Sequence, residues 1–273
     1  MSEDRAKEVI YTRIWQEEAE PDNPFAARIA RCHGFDVYGD MLGNARWIEM
    51  VYLLFRGEPP SAPATQSLEA LAIALANPGP RDPSIHAAMC GGTGGSPAAA
   101  SLMAALAVGA GSLFGGREIL LAVQDWQDCG TDLQAWQDRL RNRPAARQVT
   151  AWPEPEHAPG FDPHGVRATL IIEQTLACLA GFGCGVSLPW LKAHRADLEA
   201  TAGLPLSLTG VAAAAFVDLG FAPEEAEMLH LILRLPGAAV HALEQWKFGH
   251  KKFPFYRNEF ETDRTGPAAE ART

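Results

Sequence analysis

His241 and Glu244 stand three residues apart, a spacing that puts two metal-ligating side chains on one face of a helix. The run Met89-Cys90-Gly91-Gly92-Thr93-Gly94-Gly95-Ser96-Pro97 has the glycine density of a phosphate-cradling loop. It lacks the Lys-Ser/Thr that would follow in such a loop, so glycines at tight helix crossings are the better account. Five cysteines, Cys32, Cys90, Cys129, Cys178 and Cys184, are scattered with no CxxC spacing. They read as buried reduced thiols rather than a zinc site. Arg117 and Glu118 read as an ion pair at a helix start, and Asp125, Asp128 and Asp132 as a solvated acidic face. The chain also carries histidines, carboxylates and cations able to move a proton or hold an anion, among them His33, His86, His164, Asp162, Arg81, Arg234, Lys251 and Lys252.

Those groups need a scaffold, and composition limits its kind. The 273 residues are 47% hydrophobic, enough for one large domain, or a large domain with a smaller lobe. A net charge of -10 opposes nucleic acid and anionic lipid overall, while local basic clusters remain able to hold a small anion. No apolar run reaches the roughly 18–20 residues of a membrane span. The opening MSEDRAKEVI lacks the apolar stretch of a signal peptide, so a cytoplasmic location is expected.

The elements read as helices throughout, with no convincing strand. A polar start ends in the turn Pro21-Asp22-Asn23-Pro24, and a helical stretch is expected over Phe25–Cys32. Ala45–Phe55 is amphipathic, with Gly57 and then Pro59-Pro60 as a stop signal. Leu68–Ala76 follows. Ser96 is placed to cap a helix over Ala98–Ala110, apolar all round and expected to be central and buried. Gly115-Gly116 starts the next helix. Residues 141–165 read as an exposed connection. Helices are expected again from about Arg167, over Leu188–Ala200, over Leu208–Leu219, from Pro223 to Leu235 and, after a break at Pro236-Gly237, from Ala238 to Trp246.

Four pieces in this order carry a resemblance. His33-Gly34-Phe35-Asp36 followed by WIEMVYLLFRGEPP resembles an RGYD element and an LLxxGExP helix. Arg81-Asp82-Pro83-Ser84, the glycine turn and the alanine helix resemble the approach to a first catalytic histidine. LSLTGVAAAAFVDLGF resembles an NVDG…LGF helix. Arg234-Leu235-Pro236-Gly237 with His241-Ala242-Leu243-Glu244 resembles an R-x-x-G-x-x-A-H-x-x-E helix. Together they cover most of residues 12–254 and resemble the citrate synthase superfamily, in particular its short citryl-CoA lyase-like branch. The resemblance implies an all-α fold, with a large helical domain from 1–117 and 208–256 and a small helical lobe from 118–207. Residues 257–273 read from their composition as a disordered polar tail. The resemblance implies a dimer that binds acyl-CoA between the domains. The thioester is a substrate, and no cofactor or metal is implied. It also makes His241 and Glu244 structural.

The family's chemistry needs a base for the thioester α-proton, an acid at the enol oxygen and a carboxylate clamp. At the three matching positions this chain departs. Phe114-Gly115-Gly116 stands for HGG, Pro159-Gly160-Phe161 runs straight into Asp162-Pro163-His164 where GFGH and DPR belong, and Thr209 stands for the aspartate of NVDG. Arg234 matches the carboxylate-binding arginine, and Lys251 and Lys252 fall near a basic residue that the family sends into the partner's site. Two readings follow. One is an enzyme making or breaking a C–C bond in an acyl-CoA thioester, with His86, His164 and Asp162 for acid–base work and Arg234, Lys252, Lys251 and Arg81 for the carboxylate. The other is a catalytically silent subunit that keeps the family's dimer surface and pairs with an active paralogue. The partner is accordingly expected to be a second copy, giving a homodimer, or a paralogue, giving a heterodimer.

Overall fold

A computed structural model describes residues 11–142, 157–253 and Tyr256. The tail expected at 257–273 and the middle of the expected connection, 143–156, lie outside the described residues.

The chain opens on a sheet. β1 (Trp15–Glu20) pairs antiparallel with β2 (Asn23–Cys32), which pairs antiparallel with β3 (Phe35–Asp36). The helix expected over Phe25–Cys32 is therefore a strand, and the expectation of no strand is corrected. Its Ala and Arg residues favour helix locally, but pairing overrides that weak preference. Ala30 and Cys32 alternate into the interior, and Glu18 on β1 takes ion pairs from both Arg28 and Arg31 of β2. His33 and Gly34 make the turn into β3 with φ of 48° and 90°, the left-handed pair that suits a two-residue hairpin loop.

Ten α-helices follow among the described residues: α1 (Trp47–Arg56), α2 (Ala62–Leu75), α3 (Pro83–Thr93), α4 (Ala98–Gly109), α5 (Gly116–Cys129), α6 (Leu133–Arg141), α7 (Leu170–Gly181), α8 (Ser187–Ala202), α9 (Leu208–Asp218) and α10 (Pro223–Phe248). Gly57 closes α1 in the left-handed conformation, as its place in the sequence suggests. The glycine run is not a loop: α3 continues through Gly91 and Gly92. A Cβ on Gly92 would lie 2.1 Å from the Ala242 carbonyl oxygen, so this is a tight helix crossing. Ser96 does not cap α4, whose N-cap is Pro97.

Nor does Pro236 break the last helix. α10 runs unbroken over 26 residues. Proline removes one N–H, and the next, from Gly237, turns aside to the Ala76 carbonyl at 2.8 Å. Burial of Gly237, Ala238 and Ala242 holds the two halves in line.

The main core surrounds α9, whose residues Val211–Phe216 are completely buried; it draws on α1, α2, α5 to α8 and α10. A smaller cluster, Ile85, Ala88, Ala105, Ala238 and Ala242, joins α3, α4 and α10. α4 is not the buried central helix expected. Only Ser101, Ala105 and Gly109 along one stripe are buried, and Met103 and Val108 stand exposed.

Two other expectations change. Asp125 and Asp128 both pair with Arg139, while Asp132 caps α6 through the N–H groups of Gln134 and Ala135, so these aspartates are engaged rather than merely solvated. All five cysteines are free thiols, but Cys90 and Cys178 are exposed.

Candidate functional site

α5 starts on the Gly115-Gly116 turn, and the residue before it, Phe114, has φ 54°. A bulky side chain in that region is strained by about 1–2 kcal/mol. Its backbone is held from both sides. The Phe114 N–H donates to Glu118 Oε2 at 2.5 Å, and its carbonyl accepts from Arg234 Nη1 at 2.6 Å.

Glu118, in the first turn of α5, is 0% exposed. Its second oxygen, Oε1, accepts the Gly160 N–H at 2.9 Å and the Thr209 hydroxyl at 2.5 Å. His157 Nε2 lies 3.7 Å from Glu118 Oε2. Thr209 gives its proton to Glu118, so the 2.6 Å contact between Thr209 and Ser207 is a donation from Ser207 Oγ. Ser207 also caps α9 by accepting the Gly210 N–H. Two glycines bring these elements together. A Cβ on Gly160, whose φ is 85°, would meet Gly210 Cα at 2.9 Å, and one on Gly210 would meet the Gly160 oxygen at 2.3 Å. The Gly160 carbonyl also takes the Ser207 N–H, and Phe161 bridges to Leu206.

Behind Phe114 lies a second buried set. Arg234 pairs with Asp82, their side chains 7% and 9% exposed. Asp82 also caps α3, taking the Ser84 N–H at 2.9 Å and its hydroxyl at 2.5 Å. Arg234 Nη1 lies 3.1 Å from His230 Nε2. Guanidinium can only donate, so Nε2 accepts and the imidazole proton sits on Nδ1. Burial, then the Arg234 charge, pushes the His230 pKa down to about 3.

The expected Arg117–Glu118 ion pair does not form. Arg117 instead acts on Glu227, whose pKa burial raises and the Arg117 charge only partly pulls back. Glu118 falls on the apolar stripe of α5 with Ala122 and Trp126, at i, i+4 and i+8; a carboxylate in that stripe is the sequence signal that marks it. His157, Ser207, His230 and Asp82 had no such signal as site residues.

The candidates from sequence do not gather at one point. His86, on α3, contacts the rings of Phe253 and Tyr256 at 5.7 and 6.0 Å, with the Tyr256 hydroxyl 3.4 Å from Nε2. That places it beside the segment carrying Lys251 and Lys252. Both lysines are exposed, and Lys252 Nζ lies 4.6 Å from the centre of the Phe248 ring. Arg81 is exposed next to the Asp82 cap. Asp162 takes the His164 N–H at 2.8 Å in a turn beside Pro205, and the His164 side chain faces outward. His241 reaches Glu244 at 3.9 Å and Asn77 at 3.2 Å, and no group of three metal-ligating residues occurs among the described residues.

No family model matches the sequence, and no curated protein does. Solved structures do match. Citryl-CoA lyase from Hydrogenobacter thermophilus superposes with a TM-score of 0.70 at 17% identity, over 94% of this chain and 97% of that one. The fold is citrate synthase-like. ATP citrate lyase from Methanothrix soehngenii, in complex with citrate and coenzyme A, gives 0.69 at 16% identity over 93% of this chain, which spans 43% of that longer one. The Methanosaeta concilii ATP citrate lyase D541A mutant, in complex with (3S)-citryl-CoA, gives 0.68 at 16% identity, with the same coverages.

Within this citrate synthase-like frame, the three positions where the resemblance expects chemical groups meet at one place. Phe114, the Gly160-Phe161 junction and Thr209 all touch or adjoin Glu118. No helix of the described residues is long and apolar enough to cross a membrane.

Proposed function

We propose that this chain is a catalytically silent citrate synthase-like subunit that pairs with an active citrate synthase-like paralogue. The observation that supports the reading is the closed state of the centre. Glu118 is completely buried and engaged by Phe114, Gly160 and Thr209, while Arg234 is committed to Asp82 and the Phe114 carbonyl. A general base must reach the proton it takes, and a clamp must offer its guanidinium to the substrate. Neither group is free to do so.

The partner's place is a groove of about 560 Å³ between α1, α2, α4 and α10, lined by Trp47, Ile73, Leu102, Ile232, Leu235 and Ala239 among others. Trp47 and Ile73 are 73% and 75% exposed there. Contiguous exposed apolar surface of this kind marks a protein interface. The test is to purify the chain alone and with a co-encoded citrate synthase-like chain. The chain alone should release no CoA thiol from citryl-CoA, nor from acetyl-CoA with oxo acids, and should form a stable heteromer with the paralogue. Homodimers that turn over a thioester unaided defeat the reading.

One observation favours a second reading. Glu118 and His157 put a carboxylate and an imidazole 3.7 Å apart at the place where the resemblance expects a base and an acid. In that reading the chain makes or breaks a C–C bond in an acyl-CoA thioester. Glu118 is the relocated base for the α-proton and His157 donates to the enolate oxygen. Arg81, Lys251 and Lys252 are then left to bind the carboxylate substrate. Thiol release that Glu118→Gln abolishes, in a variant that stays folded, would establish it.

A further inference from the structure

Three donors converge on the Glu118 carboxylate: the Phe114 N–H at 2.5 Å, the Gly160 N–H at 2.9 Å and the Thr209 O–H at 2.5 Å. A glutamate serving only as a helix-start cap would use the Phe114 bond alone. The other two come from residues 42 and 91 positions away, which helix capping does not require. Both backbone donors belong to residues with left-handed φ, 54° at Phe114 and 85° at Gly160. Phe114 is held there by Arg234 on its carbonyl, and Gly160 by its close crossing with Gly210. Ser207 orients the Thr209 hydroxyl. These donors are fixed by their own supports, so their aim does not depend on Glu118 alone. Preorganised N–H and O–H groups aimed at one point are how proteins hold carboxylates and oxyanions.

We infer that the N–H groups of Phe114 and Gly160 and the hydroxyl of Thr209 form a binding site for a small carboxylate, filled in this chain by the side chain of Glu118. The inference rests on the reading of the centre as closed, and deepens it: the chain carries its own occupant. Emptied of that side chain, the site takes formate or acetate. Either supplies two oxygens to three donors, and the acetate methyl replaces the lost methylene. Formamide matches formate in size but brings N–H groups to a place lined by donors, so it is excluded by chemistry rather than by volume.

The experiment uses the full chain as Glu118→Ala. Its thermal midpoint is followed against formate, acetate, formamide and chloride at matched ionic strength. Formate or acetate should raise the midpoint with the logarithm of its concentration above the dissociation constant, by about 3 °C at ten times that constant. Formamide and chloride should not, and the wild-type chain should respond to none of the four. Adding Thr209→Val to Glu118→Ala should weaken the formate response several-fold. If Glu118→Ala is recovered unfolded, refolding yield is the readout: selective recovery in formate supports the site, and equal recovery in formate and chloride overturns it. Equal midpoint shifts with formate and formamide overturn it as well. Failure here with an inactive wild-type chain sinks this inference alone, whereas thioester turnover by the wild-type chain sinks the silent-subunit reading.

Discussion

Around Glu118, the buried Ser207 and Thr209 hydroxyls and the Phe114 and Gly160 N–H groups satisfy the carboxylate and one another, whereas between α2 and α10 large apolar side chains line an open groove. Each region departs from the usual sorting of residues by polarity, in opposite senses. A buried carboxylate is tolerated when donors surround it. An exposed apolar face is tolerated when something covers it. The first region closes within one chain, and the second leaves apolar surface open. The proposed pairing with a paralogue rests on that contrast.

Breaking the closed region should have the largest effect. Glu118→Gln keeps the volume but turns one acceptor oxygen into an N–H donor facing other donors. It should cost on the order of 3–5 kcal/mol, from a charge-assisted bond lost and buried donors brought face to face. Urea unfolding measures it. A loss under about 1 kcal/mol would mean that the network does not close the centre. Arg234→Met should cost about 3 kcal/mol because it strands Asp82, which is 9% exposed at its side chain. Asp82→Asn in the same chain should recover part of that loss. A double-mutant cycle on Arg234 and Asp82 should then show a coupling of about 1–3 kcal/mol.

His230 sharpens the comparison through pH. Its folded pKa is about 3 and its unfolded reference 6.5, so protonation favours the unfolded chain. The neutral imidazole costs nothing above pH 6.5. Below that, stability should fall as pH drops toward 3, by up to about 1.4 kcal/mol per pH unit. His230→Gln, which cannot titrate, should flatten that slope in urea titrations between pH 6.5 and 4. An unchanged slope would place the acid sensitivity elsewhere.

The helical frame was legible because its punctuation is local. Gly57 past α1, Pro223 opening α10 and the alanine run of α9 each act through neighbours in sequence. The β1–β2 hairpin was not, because alanine and arginine in β2 favour helix until β1 is alongside. Pro236 misled for the same reason: its effect depends on Ala76, 161 positions from Gly237 in sequence, receiving the displaced N–H. The site was half legible. Arg234 stood out, but its partner Asp82 is 152 residues away. Glu118 beside Arg117 resembled a surface pair, and only its place on the apolar stripe separates it from one.

The open region predicts the smallest effect on the chain by itself. Ile73→Glu and Ile232→Glu place a charge on side chains that are 75% and 43% exposed. Neither fills a core position, so each should change the unfolding free energy by less than about 0.5 kcal/mol, as surface substitutions do. In the heteromer the same carboxylates would be buried opposite apolar surface without a partner. That desolvation should weaken pairing with the paralogue by at least about tenfold, since a single uncompensated polar group costs about 1–3 kcal/mol. Analytical ultracentrifugation of wild type and variants with the paralogue reads it. Unaltered pairing would move the interface off this groove. A variant that unfolds the isolated chain would show that the groove belongs to the core, and the contrast between the two regions would fall with it.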